Sequence, residues 1–277
     1  MRFNMMSWLR KPIKGVLMDI TGVLYESGQK KPIQGSVEAV KMLRDAKIPF
    51  RFVTNETTRA ELELLELLHR LGFEIAENEI LSCVPAALRL IEEMEYRPYL
   101  LVHPNILPEF ENCNTTKPNC VVLGDAGENF SYENLNSAFE VLVDNPDAVL
   151  ITLGKGKYYR EQGELVLDVG AYAAALEYAC DRRAIVIGKP GEKFFKMAVN
   201  DLKLRTEEVV MIGDDVVCDV GGAMSAGIRG VLVKTGKFRP GDDGRTDVRP
   251  DGVVANLLEA VQRIVAQRPQ SPPGAVL

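Results

Sequence analysis

The sequence predicts an α/β fold: a Rossmann-like, mostly parallel sheet into which a smaller α/β unit is inserted. Three observations carry this. From residue 15 onward, apolar runs of strand length alternate with segments of helical periodicity, the signature of βαβ units. The alternation restarts over residues 96–183 with strands and helices of its own. Short polar strings follow several of the strands, at the carboxyl ends where an open parallel sheet forms its binding crevice.

Taken in order, Gly15-Val16-Leu17-Met18-Asp19 predicts a buried first strand, and Ser36 is expected to cap a helix over residues 36–46. A second strand covers 50–54. Thr58 with Glu61 matches a capping box, opening a helix that Gly72 stops. A third strand at 79–83 precedes a helix at 85–94. The inserted unit has strands at 99–102, 121–123 and 149–152 and helices at 131–143 and 170–180. The first unit is expected to resume with a strand at 184–187, a helix at 193–202 and strands at 209–212 and 230–233. A Pro-, Gly- and Asp-rich loop at 238–252 and a closing helix at 253–267 complete it. The expected division is therefore 1–95 with 184–277 for the larger unit and 96–183 for the insertion. Residues 1–14 read as a frayed arm, and 268–277, with Pro269, Pro272 and Pro273, as a disordered tail.

Composition narrows the function classes. A net charge of -6 and a pI near 5.2 give a field that repels nucleic acid and anionic membrane, so neither is an expected partner. An anion site would have to be locally positive. No apolar run approaches the roughly 20 residues that cross a bilayer. The five cysteines show neither CxxC pairs nor metal-finger spacing, which predicts free thiols in a reducing compartment, the cytoplasm and also the nucleus. With only His69 and His103 present, a histidine-rich zinc site or a Ser-His-Asp triad is hard to build.

Four strings carry the chemistry: Asp19-Ile20-Thr21-Gly22-Val23, Thr54-Asn55, Lys189-Pro190, and Gly213-Asp214-Asp215 with Asp219. Singly, each has a plain explanation as a turn, a helix cap, a surface lysine or a polar loop. Jointly they supply what phosphoryl transfer needs: an in-line nucleophile and cations for the equatorial oxygens. A carboxylate can be that nucleophile. Asp19 and Asp214 are hard oxygen donors suited to Mg2+, which would let an anionic nucleophile approach an anionic phosphate. Lys189 offers a compact positive charge and the Thr54 hydroxyl a hydrogen bond to a phosphate oxygen.

Through these strings the sequence resembles the haloacid dehalogenase superfamily. Its pattern is Asp-x-Asp-Gly, then a Ser or Thr, then a Lys, then Gly-Asp-Asp with a following Asp. The resemblance is to the branch with an inserted α/β (C2-type) cap, and it covers residues 15–267. Leu153-Gly154-Lys155-Gly156-Lys157-Tyr158-Tyr159, Leu167-Asp168-Val169-Gly170 and Lys234-Thr235-Gly236-Lys237-Phe238-Arg239-Pro240 bring it closer to a narrower group acting on P–N bonds and inorganic pyrophosphate.

The resemblance implies a hydrolase core, a cap and a magnesium-dependent phosphatase. Asp19 would be the phosphorylated nucleophile. Asp19, the backbone carbonyl of Thr21 and Asp214 would hold the metal, and Thr54, Asn55 and Lys189 the phosphate. Asp215 and Asp219 would orient the metal's waters or Lys189. Lys155 and Lys157, with Tyr158 and Tyr159, are the cap candidates for contact with substrate. The implied substrates are small phosphorylated molecules or phosphohistidine and phospholysine side chains, and the implied assembly is a homodimer.

One departure matters. Position 21 is threonine, where most phosphatases of the superfamily carry a second aspartate that protonates the leaving group. A hydroxyl cannot do this well near neutral pH. Pyrophosphate expels phosphate, with a second pKa of about 6, and phosphohistidine expels an imidazole with a pKa of about 6.5. Such leaving groups need the aspartate less than an alkoxide does, so P–N and P–O–P bonds are expected to be preferred over alkyl esters. The alternatives are a phosphatase of other phosphorylated metabolites and a catalytically weak phosphate-binding scaffold.

Overall fold

A computed structural model describes residues 7–28 and 31–267. The chain runs β1 (Gly15–Met18), α1 (Ser36–Asp45), β2 (Phe50–Thr54), α2 (Glu61–Arg70), β3 (Ile80–Ser82) and α3 (Cys83–Glu93). It continues through β4 (Pro98–Leu101), β5 (Cys120–Leu123), α4 (Tyr132–Asp144), β6 (Val149–Thr152), β7 (Tyr158–Glu161), β8 (Glu164–Leu167), α5 (Val169–Cys180) and β9 (Ile185–Val186). It closes with α6 (Glu192–Asp201), β10 (Val209–Gly213), α7 (Gly222–Ser225), β11 (Arg229–Val233), β12 (Gly252–Val254) and α8 (Leu257–Val265).

The larger sheet is parallel and six-stranded, in the order β12-β11-β10-β1-β2-β3. β1 is buried along its whole length, as a central parallel strand covered on both faces must be. Its alternation shows which side is which. Val16 and Met18 pack with Leu43, Phe52, Leu257 and Ile264 on the α1/α8 face, while Leu17 packs with Val53, Phe194, Phe195 and Met211 on the α6 face. The smaller sheet, β4-β5-β6-β9, is also parallel. α3 covers one of its faces through Val84, Ala87 and Ile91, and α4 and α5 cover the other through Ala138, Leu142, Ala173 and Leu176. All five cysteines are free thiols. Among the described residues, no helix is long and apolar enough to cross a membrane.

Several local expectations are corrected. The strand assigned to the resumed larger unit, 184–187, instead pairs with β6 (Ile151↔Ile185), so it is the edge of the smaller sheet. Ser36 does not cap α1. Gly35 takes that position, and the Ser36 hydroxyl donates to the carbonyls of Leu24 and Ile33, tying the loop after β1 to the helix. The Thr58–Glu61 capping box does not form either. Thr58 donates its N–H to Glu56, α2 starts after Ala60, and Glu61 accepts from Ser82 instead. Residues 253–254 lie in edge strand β12, and the closing helix starts four residues late because Asn256 caps it, accepting from Glu259 N–H. The hairpin β7–β8 was not foreseen at all: β7 is only partly covered and β8 exposed, so neither strand carries a core-facing apolar pattern.

The expected frayed arm is in fact docked from residue 7, while residues 1–6 and the expected disordered tail, 268–277, lie outside the described residues. Trp8 is 1% exposed and lies against Gly252, where a Cβ would come within 2.4 Å of its ring. The Arg229 guanidinium donates to the carbonyls of Trp8, Lys11 and Pro12 at 2.8, 2.7 and 3.3 Å. An indole buried this way carries a large share of local stability. Trp8→Ala is expected to lower unfolding free energy by about 3 kcal/mol, seen as an earlier denaturant midpoint with an unchanged m-value.

Candidate active site

Asp19 follows β1 directly, Asp214 follows β10, and Thr54 ends β2, so three adjacent parallel strands deliver their polar residues to one edge. Lys189 joins them from the segment between β9 and α6. Its ammonium, on a residue only 3% exposed, lies 2.7 Å from Asp19 Oδ1 and 2.8 Å from Asp219 Oδ1. Burial alone would discharge this lysine, but the Asp19 and Asp219 charges outweigh it and hold its pKa above the usual lysine range.

Ligand oxygens of Asp19, Asp214 and Asp219 all lie within 4.8 Å of one another, and all three residues are buried. One ammonium does not neutralise three carboxylates. The surplus shows in the acids: burial first, then repulsion from Asp19, pushes Asp219 up to about 7 despite Lys189. Burial likewise pushes Asp214 well above the carboxylate range, against the pull of Lys237. Asp214 Oδ2 accepts from the Lys237 N–H at 2.8 Å, while the buried Oδ1 has no hydrogen-bond partner among the described residues. An orphaned carboxylate oxygen within an all-oxygen cluster fits a hard divalent cation. Gly22 and Gly236, both at positive φ, make room for this carboxylate: a Cβ on either would approach Asp214 Oδ2 to 2.1 or 2.0 Å.

The other expected residues fall into distinct places. Asp219 sits inside the carboxylate cluster, whereas Asp215 turns away from it. Asp215 accepts from Val217 and Cys218 N–H at 2.8 and 2.9 Å, capping the π-helical turn Val216–Gly221, and pairs with Lys237 Nζ at 3.2 Å. The Thr54 hydroxyl accepts from Glu56 N–H at 3.0 Å. The Asn55 carboxamide, expected at the substrate, lines the cavity and grips the Lys189 backbone, donating to its carbonyl and accepting from its N–H, both at 2.8 Å. The Thr21 hydroxyl makes only a long 3.5 Å contact with Tyr25.

These groups line a cavity of about 300 Å³ whose far wall comes from the insertion. Tyr159 lines it, as expected. Lys155 and Lys157 do not: Lys155 is held 2.9 Å from Glu177 on α5, and Lys157 faces a separate small recess. Asp125, Arg160, Glu161, Asp168 and Lys237 line the cavity although the sequence reading assigned them no role. Lys237 lay in a string already singled out. Arg160 and Glu161 sit on the unforeseen hairpin, which reaches the larger sheet's side where Arg160 Nε donates to the Gly236 carbonyl at 3.1 Å and Glu161 accepts from the Ser27 hydroxyl.

The raised carboxyls set a pH dependence. Asp219 titrates from 3.8 in the unfolded chain to about 7 when folded, and Asp214 shifts the same way, so between those values the folded chain binds more protons than the unfolded one. Stability of the metal-free protein is therefore expected to fall as pH rises from about 4 to about 7. Added magnesium should restore it at pH 7, and a melting temperature indifferent to both pH and metal would contradict this.

A haloacid dehalogenase-like hydrolase family model matches residues 16–116, and a HAD-hydrolase-like model matches residues 186–260. Phospholysine phosphohistidine inorganic pyrophosphate phosphatase of Danio rerio is 49% identical over 93% of this chain and 96% of its own. The Homo sapiens protein of that name is 50% identical over 91% of this chain and 94% of its own. Among solved structures, a p-nitrophenyl phosphatase from Archaeoglobus fulgidus superposes with a TM-score of 0.79 at 25% identity, covering 91% of this chain and 99% of that one. A 4-nitrophenylphosphatase from Thermotoga maritima, 24% identical over 90% and 97%, gives a TM-score of 0.78 and supports the fold. With its carboxylate cluster at the strand ends and its inserted cap, the chain belongs to the haloacid dehalogenase-like hydrolase family, as one of its phosphatases.

Proposed function

We propose that this chain is a magnesium-dependent phosphatase that works through an aspartyl phosphate on Asp19 and hydrolyses the P–N bonds of phosphohistidine and phospholysine as well as inorganic pyrophosphate. The observation that carries the reading is the buried Asp19–Asp214–Asp219 cluster, with Lys189 as its single ion-paired ammonium and an unpartnered oxygen on Asp214. The names of relatives at about half identity support the same substrates.

Asp19 Oδ1 is held by Lys189 and by Ile20 N–H at 2.7 Å, which leaves Oδ2 as the oxygen we assign to attack phosphorus. A new O–P bond forms there as the bond to the leaving group breaks. Lys189 and the Thr54 hydroxyl hold phosphoryl oxygens, while Asn55 fixes Lys189 from its backbone. Magnesium, bound by Asp19, Asp214 and the Thr21 carbonyl, would supply the positive charge that lets two anions approach. Thr21 supplies no acid, which favours the weakly basic leaving groups phosphate and imidazole. The exposed apolar run Leu165, Val166 and Leu167 on β8 supports association of two copies through the cap.

Phosphate release from pyrophosphate, a phosphoramidate and an alkyl phosphate ester, with and without magnesium, tests the reading. Release should require magnesium, rank the first two substrates above the ester, and vanish in Asp19→Asn. Activity persisting in Asp19→Asn would refute the nucleophile, and preference for the alkyl ester would refute the leaving-group argument.

A further inference from the structure

Both sheets are parallel, and the carboxyl ends of both open on the same cavity. Asp19 lies just past β1, central in the larger sheet, and Asp125 lies two residues past β5 in the smaller one. Resting on the phosphatase reading above, we propose that Asp125, oriented by Tyr159, is the acid that protonates the nitrogen leaving group when a P–N bond is cleaved, the task Thr21 cannot perform.

Asp125 lines the cavity and is tethered to the segment that follows Thr54. Its N–H donates to Thr57 Oγ1 at 3.0 Å, three residues beyond Thr54, and its Oδ1 accepts only from Gly127 N–H at 3.0 Å. The Tyr159 hydroxyl hydrogen-bonds the same carboxyl. Burial, reinforced by Glu56, outweighs the opposing pull of the Gly127 N–H, His103 and the Tyr159 hydroxyl and raises the Asp125 pKa above the usual carboxylate range, which favours the protonated form a donor needs. Three other acids at the cavity have other work. Glu56 binds Thr58 and pairs with Arg59 at 3.2 Å, Glu161 holds Ser27, and Asp168 caps α5 by accepting from Val169 N–H at 2.7 Å.

The step balances. Asp19 Oδ2 forms the O–P bond, the P–N electron pair returns to nitrogen, and the Asp125 proton moves to that nitrogen. A neutral amine leaves and Asp125 remains as a carboxylate that water reprotonates. Without that proton the lysine nitrogen would have to leave as an amide anion, which is far too basic, whereas phosphate, with a second pKa of about 6, leaves as a stable anion.

The test compares Asp125→Asn and Tyr159→Phe with the natural chain on phospholysine and on pyrophosphate. In Asp125→Asn, kcat/KM for phospholysine should fall by about 100-fold or more and the alkaline limb of its pH profile should disappear, with a far smaller loss on pyrophosphate. Tyr159→Phe should shift that limb with a smaller loss. Equal losses on both substrates, or none on phospholysine, would overturn the proposal. Asp19→Asn measured alongside must abolish both reactions if the aspartyl-phosphate reading stands, so the two ideas fail with different signatures, and pyrophosphate turnover itself reports that each cap variant has folded.

Discussion

A lysine ammonium buried among carboxylates is the constraint on which the site rests. Removing such a charge from water costs several kcal/mol, recovered only when the partners are close and themselves fixed. Lys189 meets that demand with Asp19 and Asp219 at 2.7 and 2.8 Å. Much of the surrounding sequence serves to hold this arrangement still. Asn55 grips the lysine's backbone from the loop after β2, and Asp219 is fixed by the Asp215 N–H at 3.0 Å. A chain carrying a net charge of -6 thereby keeps two lysines, Lys189 and Lys237, at one buried spot where an anion must bind.

The arrangement is deliberately unbalanced. The lysine satisfies Asp19 and Asp219, yet the raised carboxyls of Asp214 and Asp219 and the orphaned Asp214 oxygen record charge that protein groups alone do not settle. Such unrelieved repulsion between rigid neighbours is what a bound divalent cation would relieve. The cap completes the enclosure from the opposite side with a mixture of acids, Arg160 and Tyr159, so the two ends of a substrate would meet different electrostatic surroundings.

Much of this was legible in the sequence, for physical reasons that differ residue by residue. Asp19, Thr54 and Asp214 were readable jointly, because several strands of one parallel sheet each end in a polar residue that phosphoryl transfer can use. Lys189 was readable beside Pro190, and Asp219 as a group orienting it came only through the family resemblance, because the pairing is made across 30 residues and nothing local shows it. Asn55 lines the cavity, but its grip on the Lys189 backbone was not legible, because nothing local shows whether a carboxamide faces a neighbouring backbone. Lys155 looked like a phosphate ligand until Glu177, a full helix away, claimed it. The hairpin β7–β8 escaped because pattern reading rests on burial, and its strands bury little. Residue 8 escaped for the opposite reason, since a lone tryptophan among basic residues gives no periodicity to read.

The pairing of β1 with β10 joins Gly15 to Val209, so the middle of the larger sheet is closed by residues 194 apart along the chain. Loop-closure entropy makes such a contact slow to form, and the intervening segment must be accommodated before it is rewarded. The smaller sheet shortens that search: its strands pair among near neighbours in sequence, and once compact they bring Lys189 back toward Asp19. During synthesis, Asp19 leaves the ribosome long before Asp214 and Lys237 exist. A nascent chain therefore cannot assemble the carboxylate cluster and its lysines until the segment through Lys237 has been made.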